Sequence, residues 1–268
     1  MIDLSIVVPS IRAYHWSRFY TCIQESFSGT FEIVFVGPEK SKPDELARAV
    51  NVRCVQDFGS PVRCAQIGTR ELKGTHTFIA SDDVFCLPSA IDRVFDMIKQ
   101  NGGEYKFVVA GKYREGDNPN NWKNHHDTDS YWHVNNAPVT RSQWIPDSWL
   151  VFNLPFIRTD YLLDLGGQDS QFEGQAIALT DLGNRAQADG AKVALTNFTV
   201  AHLPHLVGDA GDHGPIVESQ LQHDQPLYQK IYSNKRWHIL KNKNRRIRID
   251  IDNWKNSPAT WTRRFKGK

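Results

Sequence analysis

The sequence predicts an α/β fold in which a mostly parallel sheet is flanked by helices. Short β-prone runs alternate with helical segments through the first hundred residues, a pattern typical of doubly wound sheets. The first run, residues 4–9, is apolar without interruption, as expected of a strand that is buried on both faces. No apolar run approaches the roughly 18 residues needed to cross a bilayer, so we expect a soluble globular protein with no transmembrane segment.

The first half of the chain supplies the regular part of this pattern. Strands are predicted at residues 4–9, 31–36, 52–56 and 76–80. Helices are predicted between them, at residues 14–27, 43–50 and 61–72. The second helix has Pro43 at its start and acidic residues in its first turn, which favours a helix N-terminus.

The pattern changes after a strand that begins at Phe107. Residues 113–149 are polar and contain four Trp residues, and we expect an irregular functional stretch, because disordered segments are poor in aromatics. Regular structure returns with helices at 159–165 and 176–189 and a strand at 192–196. We predict a domain at residues 1–229, divided into halves at residues 1–110 and 111–229, before a basic C-terminal extension (230–268).

The net charge of +2 conceals a strong asymmetry along the chain. Residues 230–268 contain 13 Lys and Arg against two Asp, whereas the preceding residues contain 19 basic and 28 acidic residues. This basic tail could contact an anionic acceptor, a membrane surface or nucleic acid, or it could be a solvated face without a partner.

The four cysteines show no metal-binding or disulfide pattern. Cys22, Cys54, Cys64 and Cys86 are scattered without a CxxC spacing, so free thiols are expected. The N-terminus lacks a basic segment followed by a cleavable apolar one. We therefore expect a cytoplasmic protein, either free or peripheral at a membrane surface.

Two adjacent carboxylates, Asp82 and Asp83, follow the fourth predicted strand. Such a pair repels unless a cation or hydrogen-bond donors neutralise it, and hard oxygen ligands suit Mg²⁺ or Mn²⁺. The alternative is that both residues cap the helix expected after Pro88.

Pro9, the Gly37-Pro38 turn and Asp57 also follow strands, and ligands bind at this edge of open α/β sheets. The chain has neither GxGxxG after its first strand nor a P-loop, so a metal would have to hold any phosphate.

Several segments, in this order, resemble nucleotide-sugar glycosyltransferases of the GT-A fold, most closely family 2. The resemblance covers roughly residues 3–205, beginning with the first two strands. Its further pieces are the run Gly59–Gly74, the DxD-like segment Phe78-Ile-Ala-Ser-Asp-Asp83, the turn Leu165-Gly-Gly-Gln-Asp169, and Asp181-Leu-Gly-Asn-Arg185 with Gly190. The GT-A type (Rossmann-like) fold is therefore expected, with an irregular acceptor-side region and the basic tail. The resemblance implies that residues 1–110 are the nucleotide-sugar-binding half and residues 111–229 the acceptor-side half.

The resemblance implies metal-dependent transfer of a sugar from a nucleoside-diphosphate donor, by default UDP-linked, to an acceptor hydroxyl. Pro9 and Asp57 would line the nucleoside pocket. Arg63 would face the base or the diphosphate, although it could equally be a surface helix residue. Asp82 would coordinate Mn²⁺ or Mg²⁺, with Asp83 as a supporting ligand or a donor contact.

Three departures from the family pattern are visible. Ala80 stands where the family often has a motif Asp, and Val36-Gly-Pro-Glu39 lacks the usual Asp-rich segment after the second strand. Ala178 and Leu179 stand where inverting members have Glu-Asp, so the expected base is missing. Asp181 and Asp169 remain as candidates to accept the acceptor proton, although Asp181 could be an ordinary exposed helix residue.

Members of this fold often supply a late His as a further metal ligand. His202 and His205, and after them His213, lie in the corresponding region and are candidates for this role. A structural role is the alternative for each of them.

The sequence leaves several acceptors and two other classes of protein open. The acceptor could be a glycan, a lipid-linked glycan, a modified base in DNA or a protein side chain, with the basic tail contacting an anionic one. Competing classes are a nucleotidyltransferase of similar topology and a non-catalytic module that binds nucleic acid or glycan.

Overall fold

The computed structural model describes residues 1–115, 126–127, 133–202, 213–242 and 246–266. The described strands form one nine-stranded mixed sheet, in the order β3-β2-β1-β4-β8-β6-β9-β5, with β7 paired to β6. The strands are β1 (Leu4–Pro9), β2 (Phe31–Gly37), β3 (Val52–Gln56), β4 (His76–Ile79), β5 (Val84–Cys86), β6 (Phe107–Glu115), β7 (His126–Asp127), β8 (Phe156–Arg158) and β9 (Lys192–His202).

Helices cover both faces of this sheet. The described helices are α1 (Trp16–Ser26), α2 (Pro61–Thr69), α3 (Ala90–Gln100), α4 (Thr159–Asp164), α5 (Gln175–Ala188), α6 (Gly214–Ser219), α7 (Gln225–Tyr232) and α8 (Lys235–Asn242). Within the part of the chain that the structure describes, none is long and apolar enough to cross a membrane.

The core is split between the two faces by the period-two alternation of the strands. Ile6 and Val8 of β1 pack on one face with residues of α1 and α3. Val7, between them, packs on the other face with residues of α4 and α5. Both faces of β1 are therefore buried, which explains why its sequence is apolar without interruption.

The parallel strands determine where a ligand can bind. β1 pairs in parallel with both β2 and β4, and β2 pairs in parallel with β3. Their carboxyl ends therefore meet at one edge, where the segments after Pro9, Gly37, Gln56 and Ile79 come together. This is the edge at which open α/β sheets bind ligands.

The predicted helix at residues 43–50 is wrong. The structure has only a 3₁₀ turn there, Asp44–Leu46. Leu46 is buried, but Ala47, Arg48 and Val50 are exposed, so the segment has no continuous apolar face to pack on the sheet. The favourable residues at its start could not compensate for that missing face.

The C-terminal segment packs on the α/β core. Trp237, Ile247 and Trp261 are at most 5% exposed. Gly166, which has a φ of +82°, lies directly against this segment, because a Cβ atom there would lie 2.0 Å from the Ile249 carbonyl oxygen. The division of the chain at residue 229 stays a prediction, but residues on both sides of it share this packing.

Candidate functional site

A cavity of about 250 Å³ opens at the carboxyl edge of the parallel strands. One wall comes from the segments after β1, β2, β3 and β4, and another from the start of α5 and the C-terminal segment. Its polar and aromatic lining includes Ser10, Arg12, Asp57, Asp82, Asp83, Gln175, His213, Trp261, Arg264 and Phe265. The sequence-predicted residues Pro9, Asp57, Asp82 and Asp83 thus share one cavity.

Arg12 neutralises the Asp82-Asp83 pair. Its Nη2 atom forms a short ion pair with Asp82 Oδ1 and lies 3.0 Å from Asp83 Oδ2. Burial alone would lower the pKa of Arg12, but the two carboxylates raise it above its ordinary value. The guanidinium therefore stays charged, and it lies where the sequence predicted a metal ion.

A hydrogen-bonded relay fixes the other oxygen of Asp82. Ser10 Oγ accepts hydrogen bonds from the Trp16 indole N–H at 2.6 Å and from the Arg12 backbone N–H at 3.2 Å. Because both of these contacts are donated to it, the Ser10 hydroxyl is free to donate its own proton to Asp82 Oδ2, at 2.5 Å. Trp16 is fully buried and stacks on Phe35, so the relay begins in the hydrophobic core.

Asp57 lines the cavity, whereas Arg63 lies behind it. Asp57 Oδ1 and Oδ2 accept hydrogen bonds from Arg63 Nε at 3.0 Å and Nη2 at 3.1 Å. Arg63 Nη1 donates to the Ser257 carbonyl at 2.9 Å, and the guanidinium lies over the Trp254 ring. Arg63 thus orients Asp57 and anchors the C-terminal segment, and it is 6% exposed rather than a surface residue.

Asp181 and Asp169, the predicted proton acceptors, lie in a buried cluster with Arg246. Asp181 is fully buried on α5 and accepts from Arg185 Nε at 2.8 Å and from the Tyr232 hydroxyl at 2.5 Å. Arg246 forms a short ion pair with Asp181 and lies 3.2 Å from Asp169. Neither carboxylate lines the cavity. This geometry favours a structural role, and their catalytic role stays a prediction.

The α5 positions where the family has acidic residues are apolar and close to the cavity. Leu179 lines the cavity, and Ala178 is fully buried beside it. The departure read from the sequence therefore has a physical consequence: an apolar side chain lines the cavity at the position where the sequence resemblance implies a carboxylate.

The three histidines predicted as metal ligands differ in where they lie. His213 lines the cavity, and its Nε2 atom lies 3.8 Å from Asp83 Oδ2. The backbone of His202, at the end of β9, is in register with Val84, the residue after Asp83. His205 lies outside the described residues.

The described residues do not fit a divalent cation at Asp82 and Asp83. Both oxygens of Asp82 are engaged, one by Arg12 and the other by Ser10. Mg²⁺ requires near-octahedral oxygen coordination. Among the described residues, no group of three or more His, Cys, Asp or Glu could hold a metal ion.

Sequence reasoning missed Arg12 and the aromatic and basic residues of the C-terminal wall. Arg12 lies in the segment after β1, where any charged residue was a candidate because ligands bind at that edge. Trp261, Arg264 and Phe265 gave no such signal, because nothing in their local pattern places them beside β1. A backbone hydrogen bond of 2.8 Å from the Trp261 N–H to the carbonyl of Phe58, just after β3, holds this segment at the edge of the sheet where the cavity opens.

Comparisons with known proteins identify the fold. No family model and no curated protein matches the chain. Among solved structures, S. aureus TarS 1–349 is similar, with a TM-score of 0.52 and 12% identity over 94% of this chain and 89% of that one. S. aureus TarS 1–349 in complex with UDP-GlcNAc has a TM-score of 0.50 and 14% identity over 86% and 70% of the two chains. The predicted GT-A fold is confirmed.

Asp181→Asn is expected to destabilise the protein rather than to remove a catalytic base selectively. The substitution leaves Arg185 and Arg246 with one fewer buried anion, and breaking a buried pair in this way costs about 3–5 kcal/mol. Chemical denaturation measures the loss. The matched control is Glu104→Gln, which removes one partner of the exposed pair with Lys192 and should change stability by less than about 1 kcal/mol. Wild-type stability with lost sugar transfer would instead restore Asp181 as the base.

Proposed function

We propose that this chain is a glycosyltransferase that binds a nucleoside-diphosphate sugar in the cavity and transfers the sugar to an acceptor hydroxyl. The observation that carries the proposal is the convergence of Pro9, Asp57 and the Asp82-Asp83 pair on one cavity of a GT-A fold. The similar TarS structure in complex with UDP-GlcNAc supports a nucleotide-sugar donor, and UDP is the first nucleoside diphosphate to test.

The electrostatics of the cavity suit a diphosphate. Arg12 and Arg264 contribute cationic side chains to the lining. The N-terminal residues of two helices, Pro61 of α2 and Gln175 of α5, also line it. Helix N-termini carry partial positive charge and favour phosphate.

Other residues of the same lining suit a nucleoside. Pro9, Trp261 and Phe265 offer apolar and aromatic surface on which a base can stack. Asp57 offers a carboxylate that can accept hydrogen bonds from a base or ribose, and Arg63 holds it in place. The cavity lining therefore contains groups that suit each part of a nucleoside diphosphate.

The divalent cation predicted from the sequence is not part of this proposal. Arg12 already neutralises the carboxylates that would hold it, so Mn²⁺ or Mg²⁺ dependence remains the competing outcome of the metal experiment described below.

The transfer itself exchanges one C–O bond for another. The acceptor oxygen bonds to the anomeric carbon as the bond to the β-phosphate oxygen breaks, and the electron pair of that bond leaves with the diphosphate. The acceptor proton must pass to a base. Because Asp169 and Asp181 are enclosed, we propose His213 for this step, since a neutral imidazole in the cavity can accept a proton.

The acceptor is proposed to be anionic. The exposed cations Lys235 and Arg236 of α8, with Lys241 lying over the Trp149 ring, form a basic aromatic surface. Such a surface suits a glycan or lipid-linked glycan that carries phosphate, or a nucleic acid with a modified base.

Leu179 supports a second candidate function, donor binding without transfer. An apolar residue where relatives present an acid is what loss of catalysis would leave behind. Release of nucleoside diphosphate from a nucleotide sugar separates the two functions, because a binding module releases none.

Ala176→Trp is expected to abolish nucleoside-diphosphate binding. Ala176 is an exposed residue of the cavity lining, so an indole there fills the donor space without disturbing the core. In the wild type, ligand at a hundredfold excess over Kd should stabilise the fold by about 2.7 kcal/mol. A thermal-shift screen of nucleoside diphosphates measures this. Ala47→Trp, exposed and outside the cavity lining, is the matched control. Equal binding by both variants would contradict a donor site here.

His213→Gln is expected to lower donor hydrolysis by roughly 10²- to 10⁴-fold, because the proton acceptor is lost. Nucleoside-diphosphate affinity should stay within about twofold of the wild type, and added imidazole should restore part of the rate. His238→Gln, at an exposed position on α8, is the control. A wild-type rate in His213→Gln would remove the assignment.

Replacing both Lys235 and Arg236 by Ala is expected to weaken acceptor binding and to leave donor hydrolysis unchanged. If both residues contact phosphates, the binding constant should also depend less steeply on salt. The slope of log K against log salt concentration should fall by on the order of 0.9 for each lost contact with duplex DNA, and by less for single strands. The control replaces exposed Lys40 and Arg48 by Ala, which removes the same charge elsewhere. A salt slope equal to that of the wild type would contradict an anionic acceptor on α8.

A further inference from the structure

We propose that Arg12 takes the place of the divalent cation in this chain, so that the cavity binds a nucleoside diphosphate without a metal ion. The inference rests on the proposed function for the identity of the ligand. Its claim about the metal rests on the contacts of Asp82 and Asp83 alone.

The first support is the arrangement of charges. One guanidinium nitrogen contacts both carboxylates, and the Arg12 side chain is 9% exposed while still lining the cavity. Arg18 adds a second cation behind the pair by donating from Nη2 to the Asp82 carbonyl oxygen at 3.1 Å. Two carboxylates thus have two arginines beside them, which removes the charge imbalance that would attract a divalent cation.

The second support is that hydrogen bonds connect Arg12 to the hydrophobic core. Its backbone N–H donates to Ser10 Oγ, which also accepts from the buried Trp16 indole and donates to Asp82. A metal ion entering between the carboxylates would have to displace a guanidinium that these contacts hold. It would also have to separate a buried ion pair, which is unfavourable unless the charges are paired again.

The third support is what a guanidinium offers in this place. Its planar N–H donors match phosphate oxygens as they match carboxylates, and its charge does not depend on pH in the physiological range. Arg264, across the same cavity, supplies a further guanidinium in the lining. Arg12 can therefore provide to a diphosphate the positive charge that a metal ion would otherwise provide.

The first experiment measures Mn²⁺ binding without any nucleotide, by the electron paramagnetic resonance signal of free Mn²⁺. Wild type and Arg12→Lys, which keeps the charge, are expected to leave Mn²⁺ free. Arg12→Gln should bind Mn²⁺ at least tenfold more tightly than the wild type, because the carboxylates are released. Arg48→Gln, at an exposed position, is the control for loss of one positive charge. Equal Mn²⁺ affinity in wild type and Arg12→Gln would overturn the inference.

The second experiment measures UDP binding by calorimetry in EDTA and in Mn²⁺. The wild-type affinity should be the same within about twofold in both conditions. Arg12→Gln should lose at least tenfold in EDTA and recover with Mn²⁺. If the wild type binds UDP in Mn²⁺ but not in EDTA, the proposed role of Arg12 is overturned.

Failure of the two proposals can be told apart. If the wild type binds no nucleoside diphosphate in either condition, the donor site and the diphosphate role of Arg12 both fail. The Mn²⁺ measurement then still decides whether Arg12 excludes a metal ion. Unfolding curves of each variant identify a substitution that acts only by destabilising the fold. If Arg12→Gln is such a substitution, the wild-type UDP affinities in EDTA and in Mn²⁺ carry the test.

Discussion

The structure around the cavity depends on one constraint: a buried carboxylate needs a cationic partner, and arginine supplies it at each position. Arg12 pairs with Asp82 and Asp83, Arg63 with Asp57, and Arg246 with Asp169 and Asp181. An unpaired charge in such a place would cost several kcal/mol, whereas hydrogen-bonded pairs are tolerated. The three arginines therefore determine which carboxylates can meet a ligand and which are enclosed.

Arginines also connect distant parts of the chain. Arg63 joins α2 to the Ser257 carbonyl, and Arg185 donates from α5 to the Leu165 and Ile247 carbonyls at 2.7 and 3.2 Å. These contacts bring the C-terminal segment against the sheet edge, where Trp261 and Phe265 complete the cavity. The shape of the cavity therefore depends on the packing of this segment.

Several cations of the basic tail pair with carboxylates of the protein itself. Arg246, Arg248 and Arg263 are engaged with carboxylates of the core, and Lys255 pairs with Asp252 inside the tail. Part of the excess positive charge is therefore already paired within the protein. The acceptor proposal accordingly rests on the exposed residues of α8, Lys235 and Arg236, rather than on the net charge of the segment.

The sequence alone determined the α/β alternation, the buried strand at Leu4–Pro9 and the cluster of Pro9, Asp57 and the Asp82-Asp83 pair at one edge, because strand periodicity and strand ends are local properties. It also located the apolar residues at the usual position of the base. Only the tertiary structure decided that the residues 43–50 lack an apolar face, that Asp181 is enclosed, and that Arg12 meets the Asp pair. Each of these depends on contacts between segments far apart in the chain, with Arg12 and Asp82 separated by 70 residues. Local pattern carries no information about which charged side chains such a fold will bring together, and here that pairing decides which charged groups line the cavity.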